Sequence, residues 1–407
     1  MAALLLTSMV WSGHAQEKNE MDLSGEWAFQ TDVMDFRRGS LDVRYCHRLQ
    51  ESIVLPGITD DYKIGYKSPY RHLDRLTRVY EYMGPAWYQR EIEIPAAWKG
   101  KRIFLYFERT HWLSSVYVGK EEVSKIDYIS IPHNHELTQW LHPGKKELIT
   151  FCIDNRYQYD THKWDHAHSE FTQINWNGVL GEIKLVAVDP VYVDDMQVYP
   201  DIKNKSIKVK MTVRNCTEHT ASGKISFHVS GKDYRLQKEV PVTVTDSITY
   251  IEEEMFLSKD IHLWNEFHPN LYTLDCKLTS SVEGQSYAHE KSTTFGMREV
   301  EAGEDHIILN GEPIHLRGTV ENAVFPKTGY APVDDASWER VLRILKEYGM
   351  NHMRFHSWCP PAAAFRMADK LGVYLEVEMP MWGKDAQPDE KRWNFFRREL
   401  RGDRKST

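Results

Sequence analysis

Apolar and polar residues alternate along much of the first half of the chain. The stretch A-W-Y-Q-R-E-I-E-I-P at 86–95 alternates, and the short apolar runs R-I-F-L-Y-F-E at 102–108 and E-L-I-T-F-C-I-D-N at 147–155 continue the series. A period of two is typical of half-buried strands. Because Gly, Pro and Asn separate the runs, we predict an all-β sandwich over residues 22–189.

A second set of strand patterns follows Pro190, and it includes I-K-V-K-M-T-V at 207–213 and L-Y-T-L-D-C-K-L at 271–278. About a hundred residues, which is the length available here, suit a seven-stranded immunoglobulin-like sandwich. We therefore predict a second β-sandwich domain over residues 190–301.

The spacing of apolar residues changes after Gly303, from strand patterns alone to strand and helix patterns in turn. We predict strands at 314–320, 351–356 and 373–380, and helices at 337–349 and 360–372 between them. Short units of this kind predict a parallel α/β arrangement over residues 303–407. Residues 389–401 have a helical pattern, whereas the polar end at 401–407 is expected to be structureless.

Composition narrows the possible functions. The 407 residues carry a net charge of −8 without a basic cluster, which argues against a nucleic-acid partner. The five cysteines form no C-x-x-C pair, so a zinc or thioredoxin-type site has no support. Whether one or two disulfide bonds form among them is not determined by the sequence. The aromatic residues suit sugar stacking and sandwich cores alike.

The N-terminal residues resemble a secretory signal. The apolar stretch from Ala2 to about Trp11 is too short to span a bilayer, and Gly13-His14-Ala15 places small residues before a cleavage at Gln16. A basic leading segment is missing, and a disordered apolar tail is the alternative. We predict a signal peptide at 1–15 and a secreted or periplasmic protein, and no later run is apolar enough for a membrane helix.

Several motifs in order along the chain resemble glycoside hydrolase family 2, the family of β-galactosidases and β-glucuronidases. They are L-S-G-E-W-A-F-Q at 23–30, L-P-G-I-T-D-D at 55–61, N-W-N-G-V-L-G-E-I at 175–183, L-W-N-E-F-H-P-N-L-Y at 263–272, F-G-M-R at 295–298, L-N-G-E-P at 309–313 and Arg317-Gly318. The resemblance implies a jelly-roll sugar-binding domain, an immunoglobulin-like sandwich and a catalytic (β/α)8 TIM barrel.

The resemblance also implies retaining hydrolysis of a non-reducing β-linked sugar by two Glu carboxylates about 5–5.5 Å apart. A complete barrel needs about 250 residues, more than the segment 303–407 supplies. That segment has no Asn-Glu pair for the acid/base, and Asn19-Glu20 and Asn265-Glu266 lie outside it. The acid/base and the nucleophile are therefore both expected beyond Thr407, and no residue of this chain is predicted to be catalytic.

These observations predict a β-galactosidase-like fragment that is incomplete within its barrel and inactive alone. The alternative is a non-catalytic carbohydrate-binding protein, because two β-sandwiches are predicted in full. A pure adhesion module would have no use for barrel strands.

The candidate site residues follow the predicted barrel strands, whose C-terminal ends face the active site in this fold. The predicted substrate-binding residues are Arg317, Arg354, His356, Trp358, Glu378 and Trp382. Alternatives stay open for three of them: His356 could be a core residue, Glu378 could pair with Arg317 or Arg354, and Trp382 could pack a loop.

Two further features have weaker implications. By family analogy Glu378 could help hold magnesium, but the acidic residue and the asparagine that usually flank it are absent. The loop 162–168 contains H-x-H and could reach the active site, since loops of the first domain do so in this family. Two histidines without a third ligand indicate a metal only weakly, and a solvated loop is the default expectation.

Overall fold

The computed structural model describes residues 19–34, 49–119, 121–171, 174–382 and 389–406, with side chains as far as residue 402. The predicted signal peptide at 1–15 lies outside these residues, as do Cys46 and Thr407. Among the described helices, none is long and apolar enough to cross a membrane. No disulfide joins any two of the four described cysteines, which are Cys152, Cys216, Cys276 and Cys359.

The first region spans residues 19–188, and its described residues contain thirteen strands, which pair antiparallel. These are β1 Glu20–Asp22, β2 Gly25–Thr31, β3 Glu51–Leu55, β4 Gly57–Ile58, β5 Tyr66–Lys67, β6 Tyr80–Glu81, β7 Pro85–Glu93, β8 Arg102–Thr110, β9 Leu113–Val118, β10 Glu121–Ile126, β11 His133–Glu136, β12 Lys146–Asp154 and β13 Gly178–Val188. Six of them form a sheet in the order β10-β9-β12-β7-β2-β3, and five form a second sheet, β1-β13-β8-β11 with β4 on β13. Strands β5 and β6 form a separate hairpin, and 3-10 turns occupy Thr59–Tyr62 and Ala96–Trp98.

The two large sheets share one hydrophobic core. Phe151 of β12 lies at its centre, with ring centroids 4.8 Å from Phe107 of β8 in the other sheet and 5.0 Å from Trp27 of β2. The predicted alternation in β7 holds near its end, where Ile92 is buried between exposed glutamates. It fails earlier because Trp87 is also fully buried, in a smaller cluster on the opposite face of the sheet.

Residues 191–295, the second region, contain seven antiparallel strands. They are β14 Val191–Asp201, β15 Ser206–Asn215, β16 Ala221–Ser230, β17 Arg235–Val244, β18 Ile248–Phe256, β19 Tyr272–Val282 and β20 Gln285–Phe295. A three-stranded sheet, β14-β15-β18, and a four-stranded sheet, β17-β16-β19-β20, cover a second core. Alternate residues of β15 and β16, including Val209, Val213, Ile225 and Val229, fill this core, as their period of two predicts.

Residues 300–406, the third region, begin with an antiparallel three-stranded sheet and continue with parallel strands. The antiparallel strands are β21 Val300–Ala302, β22 Ile307–Leu309 and β23 Glu312–Ile314. The parallel strands are β24 Gly318–Glu321, β25 His352–Phe355 and β26 Tyr374–Val377. The prediction of one strand at 314–320 is therefore wrong, since β23 pairs antiparallel with β22 whereas β24 pairs parallel with β25.

The described part of the third region has three helices: α1 Asp335–Glu347, α2 Ala362–Leu371 and α3 Glu390–Ser406. Helix α1 begins two residues before the predicted start because Asp334 caps it, accepting a hydrogen bond from Ser337 N at 2.8 Å. Gly372 ends α2 in the left-handed conformation, with a φ of 69°.

The end of the chain differs from its prediction. The expectation of a structureless end at 401–407 is wrong for residues 401–406, because they continue α3. For Thr407, which is not among the described residues, that expectation stays untested. The placement of both catalytic glutamates beyond Thr407 likewise stays a prediction.

Helix α3 packs against the first region. The Glu399 carboxylate is buried and accepts hydrogen bonds from Ile129 N at 3.0 Å and Ser130 N at 2.9 Å. Phe395 stacks on Tyr159, with ring centroids 4.4 Å apart. The first and third regions are therefore joined by polar contacts as well as by an aromatic cluster.

Candidate functional site

The three parallel strands end at one edge of the third region. Just past the strands, His356 N donates a hydrogen bond to Glu321 O at 3.0 Å. Glu378 N donates to Phe355 O at 3.2 Å in the same way. Because the ladder continues through these residues, the backbone after β25 and β26 is fixed, and their side chains have defined positions.

Arg354 and Glu378 form the charged part of this edge. Arg354 Nε donates to Glu378 Oε1 at 2.6 Å, and an Nη of the same guanidinium also contacts that oxygen. Ser357 N donates to the other oxygen, Glu378 Oε2, at 2.8 Å. Both oxygens of Glu378 are therefore occupied, and the ion pair with Arg354 foreseen as an alternative is present. Glu376 approaches the same guanidinium at 3.5 Å.

Rings form the other part of the edge. The rings of His356 and Trp382 are perpendicular, with centroids 4.4 Å apart. His166 of the first region lies 4.9 Å from His356 and 5.5 Å from Trp382. Trp382 N also donates to Thr161 O at 3.2 Å, so the first region holds Trp382 in place.

His166 was not predicted as a site residue, although its loop was considered. The expectation of a solvated loop is wrong for this part of it, because His166 is buried. Its backbone N–H donates to Ser357 Oγ at 3.1 Å, and its Nδ1 lies 3.0 Å from the same oxygen. Burial and the neighbouring His356 lower the pKa of His166 to about 4, although Glu378 opposes this, so the ring is neutral at pH 7.

Asp165 and His168 support this loop from inside the protein. Asp165 Oδ1 accepts a hydrogen bond from Ala167 N at 2.9 Å, and His168 Nε2 lies 3.0 Å from Thr161 Oγ1. Burial raises the pKa of Asp165 to about 8 and lowers the pKa of His168 to about 3. Both groups are therefore uncharged near pH 7, as expected for side chains removed from water.

Glu321 is a further residue that sequence analysis did not single out. Its carboxylate accepts hydrogen bonds from Ala323 N at 2.8 Å and Val324 N at 3.2 Å. Burial raises its pKa, and these backbone bonds oppose the shift. Sequence analysis could have singled out Glu321 from its position at the end of β24, because strand ends face the active site in a barrel.

The structure does not bring Trp358 and Arg317 into this group of side chains. Trp358 is 5% exposed and packs on Phe355 in the core, with ring centroids 5.2 Å apart. Arg317 precedes β24 and therefore lies at the opposite end of the parallel strands. There its Nη2 contacts Glu266 Oε1 at 3.2 Å, and its Nε donates to Gly349 O at 2.8 Å. Four of the six predicted residues, Arg354, His356, Glu378 and Trp382, lie together.

The residues around Glu378 do not fit a magnesium ion. Magnesium requires oxygen ligands, whereas both Glu378 oxygens already accept N–H groups and a guanidinium stands beside them. Across the described part of the chain, no three His, Cys, Asp or Glu side chains are grouped so as to hold a metal. The described residues of this edge therefore do not provide the ligands for the magnesium ion that family analogy suggested.

Comparison with known proteins agrees with the motifs. Residues 191–298 match the model of glycosyl hydrolases family 2. The β-galactosidase of Thermoanaerobacter pseudethanolicus is 23% identical over 305 residues, which cover 74% of this chain and 40% of the relative. The β-glucuronidase of Sus scrofa is 22% identical over 414 residues, 93% of this chain and 59% of the relative. The resemblance to family 2 is confirmed.

Solved family 2 structures have the same fold. The chain matches Bacteroides uniformis β-glucuronidase 2, covalently bound to cyclophellitol-6-carboxylate aziridine, with a TM-score of 0.76 and 18% identity over 95% of this chain and 45% of that one. It matches the Ruminococcus gnavus β-glucuronidase in complex with D-glucaro-d-lactam with a TM-score of 0.70 and 18% identity over 94% of this chain and 63% of that one. The chain spans 40% to 59% of the length of the two curated relatives.

Proposed function

We propose that this chain is the N-terminal part of a retaining β-glycosidase that removes a terminal β-linked sugar. In this proposal the first region is a jelly-roll domain, the second an immunoglobulin-like domain, and the parallel strands the start of a (β/α)8 barrel. The resemblance to family 2 supports it, since curated relatives are named β-galactosidase and β-glucuronidase.

The observation that carries the proposal is the group of side chains at the ends of β25 and β26. Arg354 and His356 supply polar groups, and Trp382 supplies an aromatic face. A sugar presents hydroxyls to such groups and its C–H face to such a ring. In a barrel, this end of the strands is where substrate binds.

Catalysis needs two carboxylates that flank the glycosidic bond, and the described residues of this edge do not offer such a pair. Glu378 is bound at its two oxygens by Arg354 and Ser357 N, which hold it as the partner of the arginine and not as one of two carboxylates on either side of a glycosidic bond. Glu376 is more exposed and shares Arg354 with it. We therefore propose that residues 1–407 bind part of the sugar and do not hydrolyse it alone, and that the reacting carboxylates follow Thr407.

The test has two measurements on the 407-residue chain. Hydrolysis of the p-nitrophenyl β-D-galactoside and β-D-glucuronide is expected to be absent. In chain labelled with 5-fluorotryptophan, the ¹⁹F resonance of Trp382, assigned by its loss in Trp382→Phe, is expected to shift when methyl β-D-galactopyranoside or methyl β-D-glucuronide is added.

The variant His356→Ala is expected to abolish this shift because the ring that packs on Trp382 is removed. Trp164→Ala is the control, because Trp164 belongs to the loop 162–168 that also contains His166 but is 39% exposed. If neither sugar shifts the Trp382 resonance, the proposal that sugar binds at this site is contradicted. Turnover above the blank would overturn the proposal of an inactive chain.

A further inference from the structure

Arg109, the penultimate residue of β8, reaches from the first region into the third. Its Nη1 donates a hydrogen bond to Cys359 O at 3.0 Å, and its Nη2 donates to Pro360 O at 2.5 Å. Both carbonyls belong to buried residues of the β25–α2 segment, residues 356–361, which joins β25 to α2. One guanidinium of the first region therefore holds the middle of this segment.

The β25–α2 segment contains a strained residue, Ser357. Its φ is 54°, in the left-handed region that residues other than glycine seldom adopt, and the residue is fully buried. Such a backbone conformation is unfavourable on its own and persists only where the surrounding structure enforces it. Contacts with the rest of the protein are therefore needed to hold the chain at Ser357.

The conformation of Ser357 also determines the geometry of the proposed sugar site. Ser357 N donates to Glu378 Oε2 at 2.8 Å, and Ser357 Oγ accepts a hydrogen bond from His166 N at 3.1 Å. His356, the preceding residue, packs its ring on Trp382 with centroids 4.4 Å apart. A relaxation of the Ser357 φ would turn its N–H group and the His356 ring relative to the rest of the segment, so both contacts would weaken.

Arginine is well suited to hold two consecutive carbonyls. Its planar fork of N–H groups donates to two acceptors at once, and hydrogen bonds from a charged donor are stronger than those between neutral groups. Beyond these carbonyls, Pro361 is the N-cap of α2. The β25–α2 segment is thus held at Ser357 by His166, in its middle by Arg109 and at its end by the helix.

We propose that Arg109 is a positioning residue of the sugar site. It does not touch the sugar. By holding two consecutive carbonyls of the β25–α2 segment, it keeps Ser357 in the left-handed conformation and His356 against Trp382. This role rests on the proposed function, and it adds that sugar affinity depends on a contact from the first region to a segment of the third.

The test uses the full 407-residue chain labelled with 5-fluorotryptophan. Without sugar, Arg109→Ala is expected to move the ¹⁹F resonance of Trp382, because the His356 ring beside it is held less firmly. For methyl β-D-galactopyranoside or methyl β-D-glucuronide, whichever binds the parent chain, affinity is expected to fall about fivefold or more, since the site must then be ordered on binding. Arg109→Lys can still donate to one carbonyl, so smaller changes in the same direction are expected.

Arg102→Ala is the matched control, because Arg102 begins the same strand, β8, and forms its salt bridge with Glu136 within the first region. Its Trp382 resonance and its sugar affinity are expected to match those of the parent. A second comparison uses Ser357→Gly, because glycine adopts a positive φ without strain. Arg109→Ala is expected to move the Trp382 resonance less in the Ser357→Gly background than in the parent.

The proposal is overturned if Arg109→Ala, or Arg109→Lys should the alanine variant not fold, leaves the Trp382 resonance where Arg102→Ala leaves it. It is also overturned if the arginine variant moves this resonance equally with serine and with glycine at position 357. The resonance without sugar tests the positioning role by itself. If no sugar shifts the Trp382 resonance of the parent chain, the proposed function fails instead, so the two failures are distinguishable.

Discussion

Arg354 of β25 and Glu378, which follows β26, are joined by a hydrogen bond of 2.6 Å between Nε and Oε1. The bond connects two neighbouring parallel strands at the edge where the sugar is proposed to bind. Ser357 N completes the contact from the other side of the carboxylate. The charged part of the site is therefore one connected unit.

Replacing Glu378 by Gln is expected to loosen this unit. The Arg354 guanidinium would lose its charged partner, but both side chains are partly exposed, so the loss of unfolding free energy is expected to be only about 1 kcal/mol. Urea denaturation measures it. The control is Glu376→Gln, because Glu376 is 53% exposed and 3.5 Å from Arg354, and a change below about 0.5 kcal/mol is expected. Equal losses in both variants would contradict this assignment.

Replacing Glu266 by Ala is expected to destabilise the chain by about 2–3 kcal/mol. Glu266 is 8% exposed and binds Arg317 and the side-chain amide of Asn351, joining the second region to the start of β24 and β25. The free energy of unfolding measures the effect. Glu312→Ala, at an exposed position of β23, serves as the control and should change stability little. If the two variants were equally stable, Glu266 would not be the anchor described here.

The stability of α3 packing is expected to fall as pH rises. Burial raises the pKa of Glu399 from its ordinary value of 4.5 to about 7, although the Ile129 and Ser130 N–H groups oppose the shift. Between these pH values the folded state binds more protons than the unfolded state, so the free energy of unfolding decreases with pH. The expected decrease from this group is on the order of 1–3 kcal/mol.

Urea denaturation at pH 4.5, 6 and 7.5 measures this dependence. Glu399→Gln is expected to flatten it, because the amide does not ionise and its oxygen can still accept an N–H. Asp165 also has a pKa raised by burial and remains in that variant, so the difference between wild type and variant isolates Glu399. An unchanged pH profile in Glu399→Gln would refute the role of this carboxyl.

Replacing His166 by Ala is expected to weaken sugar binding at the Trp382 site about tenfold or more. The variant removes the ring that touches both His356 and Trp382, as well as the Nδ1 beside Ser357 Oγ. The ¹⁹F shift of Trp382 against sugar concentration measures the affinity. His162→Ala changes the same loop without removing any of these contacts, and its titration should match the wild type.

Local patterns predicted the elements well where one face of each meets the core. Spacing alone placed helix α1, and the structure buries Trp338, Leu342 and Leu345 as that spacing requires. The predicted span of 337–349 also included Tyr348, which is 78% exposed because the helix ends at Glu347 and Tyr348 is its C-cap. A residue in the last turn can therefore match a periodic pattern without meeting the core.

Long-range contacts account for what the sequence did not reveal. The contact of His166 with Ser357 spans 191 residues, and no local pattern encodes such a separation. Trp87 is likewise buried by a cluster on the outer face of its sheet that strand alternation does not reveal. The position of Arg317 was misjudged because a strand that seemed continuous is two strands, so that Arg317 lies before the second one begins.

The packing of α3 on the first region limits how this protein can be recombined. The buried N–H groups of Ile129 and Ser130 find their acceptor in Glu399, about 270 residues later in the chain. A chimera that takes its first region from one parent and its α3 from another would have to match the two surfaces. The first region and α3 are therefore best taken from the same parent, although the second region lies between them in the sequence.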